Sequence, residues 1–109
     1  TDSLSPAGTD IREGVTLNTP FIIEDGVCKL KDRSAFAGSI ATADRLVRVM
    51  NQEVGVAMAT AVKMITKVPA EILGLNKGTL EVGKDADIVV FDDEVRIREV
   101  FVCGNKCRW

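Results

Sequence analysis

The spacing of hydrophobic and polar positions changes character twice along the chain. Residues 1–14 have a loop composition, with Pro6, Gly8 and Gly14 set among Ser, Thr and Asp. From 15 to 31 the period is two. Val15 and Leu17 alternate with Thr16 and Asn18, Phe21-Ile22-Ile23 follows, and Val27-Cys28-Lys29-Leu30-Lys31 alternates again. Asp25-Gly26 between the last two runs predicts a hairpin, because both residue types tolerate the positive φ of a two-residue turn. Residues 32–39 read as a second loop, ending in Ala37-Gly38-Ser39.

The period then becomes helical. Ile40, Ala43, Val47, Met50 and Val54 fall on one stripe and predict a helix over 40–53, started by Ser39 or Thr42. After Gly55, a second stripe of Met58, Ala61, Val62 and Ile65 predicts a helix over 56–66. Val68-Pro69 should stop it, because a residue before proline avoids the α region. A short helix over 69–73 follows, closed by Gly74. Beyond Leu75 the pattern is β again: turns at 76–78 and 81–85, then strands over 87–92 and 97–103, with a turn at 104–106. No internal repeat or low-complexity segment interrupts this order. Two small β units thus flank a few helices, and a ribbon of two or three strands is marginal alone. Either the units pair with each other or their partners lie outside this chain.

Composition narrows the function classes. With 46% hydrophobic positions, the 109 residues can build a modest core, so a wholly disordered chain is excluded. A net charge of −2 argues against a general electrostatic partner such as nucleic acid. No apolar run approaches the roughly 20 residues of a membrane-spanning helix. The first residues lack the basic and apolar regions of a signal peptide, and an opening on Thr1-Asp2 without methionine reads as the interior of a longer protein. Histidine is absent, which removes histidine bases and histidine metal ligands. Cys28, Cys103 and Cys107 contain no CxxC and fall short of a closed zinc site. They read as reduced thiols of a cytoplasmic protein, with a Cys103–Cys107 bridge left open by their spacing.

Longer phrases carry a resemblance. Val68-Pro69-Ala70-Glu71-Ile72-Leu73-Gly74-Leu75, followed by Lys77-Gly78-Thr79-Leu80-Glu81-Val82-Gly83-Lys84-Asp85-Ala86-Asp87-Ile88-Val89-Val90-Phe91-Asp92, resembles the closing segment of the amidohydrolase superfamily. Thr1-Asp2-Ser3-Leu4-Ser5-Pro6-Ala7-Gly8, with Asp25-Gly26-Val27-Cys28 and Phe36-Ala37-Gly38-Ser39 at their intervals, narrows it to the N-acetylglucosamine-6-phosphate deacetylase family. The resemblance implies an α/β fold: the C-terminal piece of a TIM barrel, with the end of its last strand and the closing helices, plus the terminal strands of a small β-sandwich. Residues 1–74 would belong to the barrel, with a β-hairpin insertion, and residues 75–109 to the sandwich. It further implies a metal-dependent hydrolase that converts N-acetylglucosamine 6-phosphate and water to glucosamine 6-phosphate and acetate.

By the same resemblance Asp2 is the catalytic acid/base, and Phe36, Ala37 and Gly38 contact the substrate. Phe36 stands where the family more often has leucine. The alternative for 36–38 is an ordinary helix-entry loop. The family's divalent ion (zinc, iron or similar) is held by a glutamate and two histidines on earlier barrel strands, so no metal ligand is expected in this chain, which alone should be inactive. Pro6-Ala7-Gly8 reads as a turn, and Asp85, Asp87, Asp92 and Asp93 read as turn and strand-end residues. Arg45 and Arg48 lie off the apolar stripe and read as a solvated helix face rather than a phosphate site. The expected partners are an amino-sugar phosphate and further copies of the chain in a homo-oligomer, with neither nucleic acid nor membrane. The alternatives are another amidohydrolase and a non-catalytic module that self-associates through open strand edges.

Overall fold

The computed structural model describes residues 3–108. They divide into two compact units, with the boundary between Ala43 and Asp44.

The first unit is a four-stranded antiparallel sheet in the order β1-β2-β3-β4. Its strands are β1 (Glu13–Thr16), β2 (Thr19–Glu24), β3 (Val27–Leu30) and β4 (Phe36–Gly38). The predicted turn between β2 and β3 forms, with Asp25 at φ 54° and Gly26 at φ 75°, the signs of a type I′ turn. It sets Ile23 opposite Cys28 and Phe21 opposite Leu30. Alternation places these four on one face, where Phe21 and Cys28 are buried.

Residues 36–38 form a strand rather than a loop, paired with β3 across an irregularity at Cys28/Lys29. Ser39, next after β4, forms a parallel bridge with Ser3. That bridge delays the following helix, α1, which spans Ala43–Arg48 instead of starting at Ile40. Ser39 Oγ accepts the Ala41 N–H at 3.1 Å, ahead of the helix.

The second unit holds the helices and a three-stranded sheet. The end of the predicted 40–53 helix is a π-helical turn, Val49–Glu53, closed by the Val54 N–H donating to the Val49 carbonyl at 3.1 Å. Helix α2 is Met58–Ile65 and α3 is Lys67–Ile72. The break between them falls at Thr66 (φ −120°, ψ −82°), earlier than Val68-Pro69. Thr66 Oγ1 donates back to the Val62 carbonyl at 2.8 Å, a local bond that competes with further helix. Pro69 then sits in the first turn of α3, where its missing N–H has little consequence. A Schellman pair closes α3: Leu75 N–H reaches the Ala70 carbonyl and Gly74 N–H the Glu71 carbonyl.

Strands β5 (Ile88–Phe91), β6 (Ile97–Val102) and β7 (Asn105–Lys106) form a separate antiparallel sheet, so the two β units do not join into one. The core of this unit is Val47, Ala61 and Val95, with Met50, Val56, Met58, Val62 and Phe91 packed around it. Val54 and Ile65, the outlying positions of the predicted stripes, are exposed. So are Val89 and Val90, neighbours on β5 that alternation directs to opposite faces. All three cysteines are free thiols, Cys28 buried and Cys103 exposed.

Candidate functional site

Two stretches distant in sequence meet in the first unit. Asp2, the expected acid/base, lies outside the described residues. The residue after it, Ser3, bridges Ser39. Its Oγ donates to the Ala41 carbonyl at 2.7 Å, and the Leu4 N–H donates to the Ser39 carbonyl at 2.8 Å. The chain that leaves Asp2 is therefore stitched to the chain that leaves Phe36, Ala37 and Gly38.

The three β4 residues differ in setting. Phe36 is 75% exposed. Ala37 is half-buried and pointed away from its neighbours' face by the strand's alternation. Gly38 has a packing reason of its own. A Cβ built there would lie 2.7 Å from Leu4 Cδ1 and 2.9 Å from Leu4 Cγ, at a φ of 154° that side chains rarely adopt. Leu4 thus occupies the space that a side chain at position 38 would need. Sequence reasoning missed this contact because no periodic pattern links a leucine in the opening loop to a glycine so far downstream. Pro6-Ala7-Gly8 forms the expected turn, with Thr9 Oγ1 donating to the Pro6 carbonyl at 2.8 Å.

The other predicted roles are structural. Asp87 accepts the Cys103 N–H at 2.9 Å and the Lys77 ammonium at 2.7 Å, and Lys77 holds its carboxyl below the usual range. Asp92 accepts the N–H groups of Arg96 and Glu94 and the Arg98 guanidinium, which likewise lower it, the Arg96 bond most. These are turn and strand-end positions, as expected. Arg48 corrects the reading of a solvated face. Its Nε donates to the Glu94 carbonyl and its Nη2 to the Val95 carbonyl, both at 3.1 Å, while Nη2 also meets Asp44 at 3.0 Å. Its acceptors are backbone atoms in the β5–β6 loop, which residue type and spacing do not reveal. Among the described residues no group of three His, Cys, Asp or Glu could hold a metal ion.

Comparison with known proteins bears on the whole of this arrangement. Residues 6–107 match the Amidohydrolase family, and the chain belongs to that family. It is 39% identical over 75 residues to an N-acetylglucosamine-6-phosphate deacetylase of Danio rerio, covering 67% of this chain and 19% of that one. It is 30% identical over 106 residues to an N-acetylgalactosamine-6-phosphate deacetylase of Shewanella, covering 96% and 27%. The crystal structure of N-acetylglucosamine-6-phosphate deacetylase from Pasteurella multocida superposes with a TM-score of 0.90 at 28% identity, over 98% of this chain and 28% of that one. The mixed helix and antiparallel-sheet architecture is thus that of a solved amidohydrolase. The chain spans between 19% and 28% of these relatives' length.

Proposed function

We propose that this chain is the closing portion of an N-acetylglucosamine-6-phosphate deacetylase. In this reading residues 1–74 carry the end of the last TIM-barrel strand, a hairpin insertion and the closing helices. Residues 75–109 supply the last strands of a small β-sandwich. One observation carries the proposal: the Ser3–Ser39 bridge joins the phrase containing Asp2 to the phrase Phe36-Ala37-Gly38, the two phrases that narrow the resemblance.

The reaction needs a proton taken from water and a proton given to the leaving amine. Asp2 does both in turn: its carboxylate receives the first proton and its carboxylic acid donates it to the departing nitrogen of glucosamine 6-phosphate. Phe36 offers an apolar wall and the backbone of 37–38 offers polar groups to the sugar. The family is generally metal-dependent, and zinc, iron or a similar divalent ion is the proposed cofactor. The described residues do not fit such an ion, since no ligand cluster occurs among them and the sequence has no histidine. Its ligands belong to another part of the whole enzyme. The proposed compartment is the cytoplasm, on the strength of three free thiols. The proposed assembly is a homo-oligomer, supported by the exposed apolar residues of β5.

The similarity to the Shewanella protein favours a second reading, in which the substrate is the galacto epimer. Acetate release by the whole enzyme from N-acetylglucosamine 6-phosphate and from N-acetylgalactosamine 6-phosphate separates the two. Turnover of the gluco substrate is expected. Preference for the galacto substrate would replace the first reading with the second, and activity on neither would overturn both.

A further inference from the structure

We infer that Leu4 is a positioning residue for substrate binding: it sets where the backbone of Gly38 lies, and so the level of the strand that meets the sugar. The inference rests on the reading of Phe36, Ala37 and Gly38 as the substrate contact. Strand β4 is the last of its sheet, so β3 is the one strand paired along it. That ladder is irregular. Lys29 stands opposite Phe36 and Cys28 opposite Gly38, and the register shifts between them. A shift of this kind bends a strand, so β3 alone leaves the far end of β4 loosely fixed. The remaining constraint comes from the opening segment. The Leu4 N–H donates to the Ser39 carbonyl at 2.8 Å. The Leu4 side chain occupies the space beside Gly38, where an added Cβ would lie 2.7 Å from Cδ1 and 2.9 Å from Cγ.

Gly38 is nonetheless exposed. With Leu4 on the side where a Cβ would stand, residue 38 offers a ligand its backbone alone. Glycine is the residue that lets backbone and ligand approach closely. Leu4 itself is half-buried, unlike the core residues Phe21 and Cys28. A leucine that only filled space would ask nothing of its neighbour; this one requires position 38 to have no side chain. The pair therefore acts as a stop, with the leucine on one side of the strand end and β3 on the other. Shifting that end moves groups that bind the sugar rather than groups that react. Binding lost equally from ground state and transition state raises KM and leaves kcat alone.

The test is steady-state acetate release from N-acetylglucosamine 6-phosphate by the whole enzyme. Gly38→Ala should raise KM about tenfold or more and Leu4→Ala about threefold or more, with kcat within about twofold of wild type in both. Leu4→Met, which keeps the volume, should hold KM within about twofold. The double variant Leu4→Ala/Gly38→Ala should have a lower KM than Gly38→Ala, because the carbons that meet the new methyl are gone. Gly78→Ala, a destabilising change in the second unit, should leave KM unchanged. Wild-type KM in both Leu4→Ala and Gly38→Ala would overturn the inference. So would a double variant in which the two losses multiply, or a KM raised as much in Gly78→Ala, which would assign the effect to lost stability. If Leu4→Ala does not fold, Leu4→Val, alone and with Gly38→Ala, makes the same comparison. Phe36→Ala separates the underlying reading: unchanged KM there removes β4 from the substrate contact and the inference with it, whereas a raised KM beside normal Leu4 and Gly38 variants overturns the inference alone.

Discussion

Arg48 holds Val95 in place from across the second unit. The guanidinium donates to the Val95 carbonyl at 3.1 Å, and Val95 is 2% exposed with a left-handed φ of 58°. A β-branched residue in that conformation is strained. What holds it there is the core around it, Val47 and Ala61, together with the second Arg48 bond, to the Glu94 carbonyl. Arg48→Ala should therefore destabilise the chain by about 1.5–3 kcal/mol, the range for hydrogen bonds made by a charged group. Arg48→Lys should recover only part of it, because an ammonium lacks the planar fork that serves two carbonyls. Urea midpoints of the three proteins check this; equal midpoints would mean that the loop needs no clamp.

Gly78 gives a second stability test. Its φ is 87°, and an added Cβ would lie 2.8 Å from both Ala70 Cβ and the Thr66 carbonyl oxygen. Gly83 has nearly the same φ, 89°, with open space beside it. Gly83→Ala should lose about 1 kcal/mol from backbone strain alone. Gly78→Ala should lose clearly more, because the start of α3 must also shift. Thermal midpoints with Gly78→Ala no lower than Gly83→Ala would show that the contact is soft.

These two devices mark the border of what the sequence makes legible. The β2–β3 hairpin is plain because Asp25-Gly26 and period-two alternation are both local signals. Met58, Ala61 and Val62 lie on α2 as their spacing demands, and β5 and β6 fall within the predicted strands. Strand β4 is hidden because its pairing comes from β3 rather than from its own composition. The Thr66 break is hidden because a proline three residues later looks like the stronger signal. Arg48 and Leu4 are hidden because their contacts, backbone carbonyls and a glycine, carry no pattern. Phe36, Ala37 and Gly38 stand out through resemblance alone, and the packing of Gly38 on Leu4 is visible only in the fold.

The surface ion pairs fix the pH behaviour. Asp92, through the Arg96 N–H, and Asp87, through Lys77, are both held below the ordinary carboxylate value of 3.8. A depressed folded value contributes stability that is present above the unfolded value and lost as pH falls through the folded one. Lys77, bonded to Asp87, is raised above its ordinary 10.5. Its contribution is present below that value and is lost as pH rises through the folded one. Stability should thus fall on the acid side below about pH 4, and Asp92→Asn should flatten that limb. Urea midpoints measured across the acid range check it, and an unchanged limb in Asp92→Asn would assign the loss to other groups.

The thiols should react unequally. Cys28 is fully buried and its pKa is raised by that burial, whereas Cys103 is exposed. Thiolate is the reactive form and access is required. Under native conditions a thiol reagent should label Cys103 readily and Cys28 only on unfolding. Rapid labelling of Cys28 would show that the first sheet opens far more often than its packing implies.

The central claim is that Asp2 belongs to the chemistry of an amino-sugar-phosphate deacetylase. The most direct measurement is steady-state acetate release from N-acetylglucosamine 6-phosphate by the whole enzyme, wild type against Asp2→Asn, with metal content determined in both. Loss of a general acid/base predicts a kcat lower by about a hundredfold or more, with metal content unchanged. A near-normal kcat in Asp2→Asn would contradict the account.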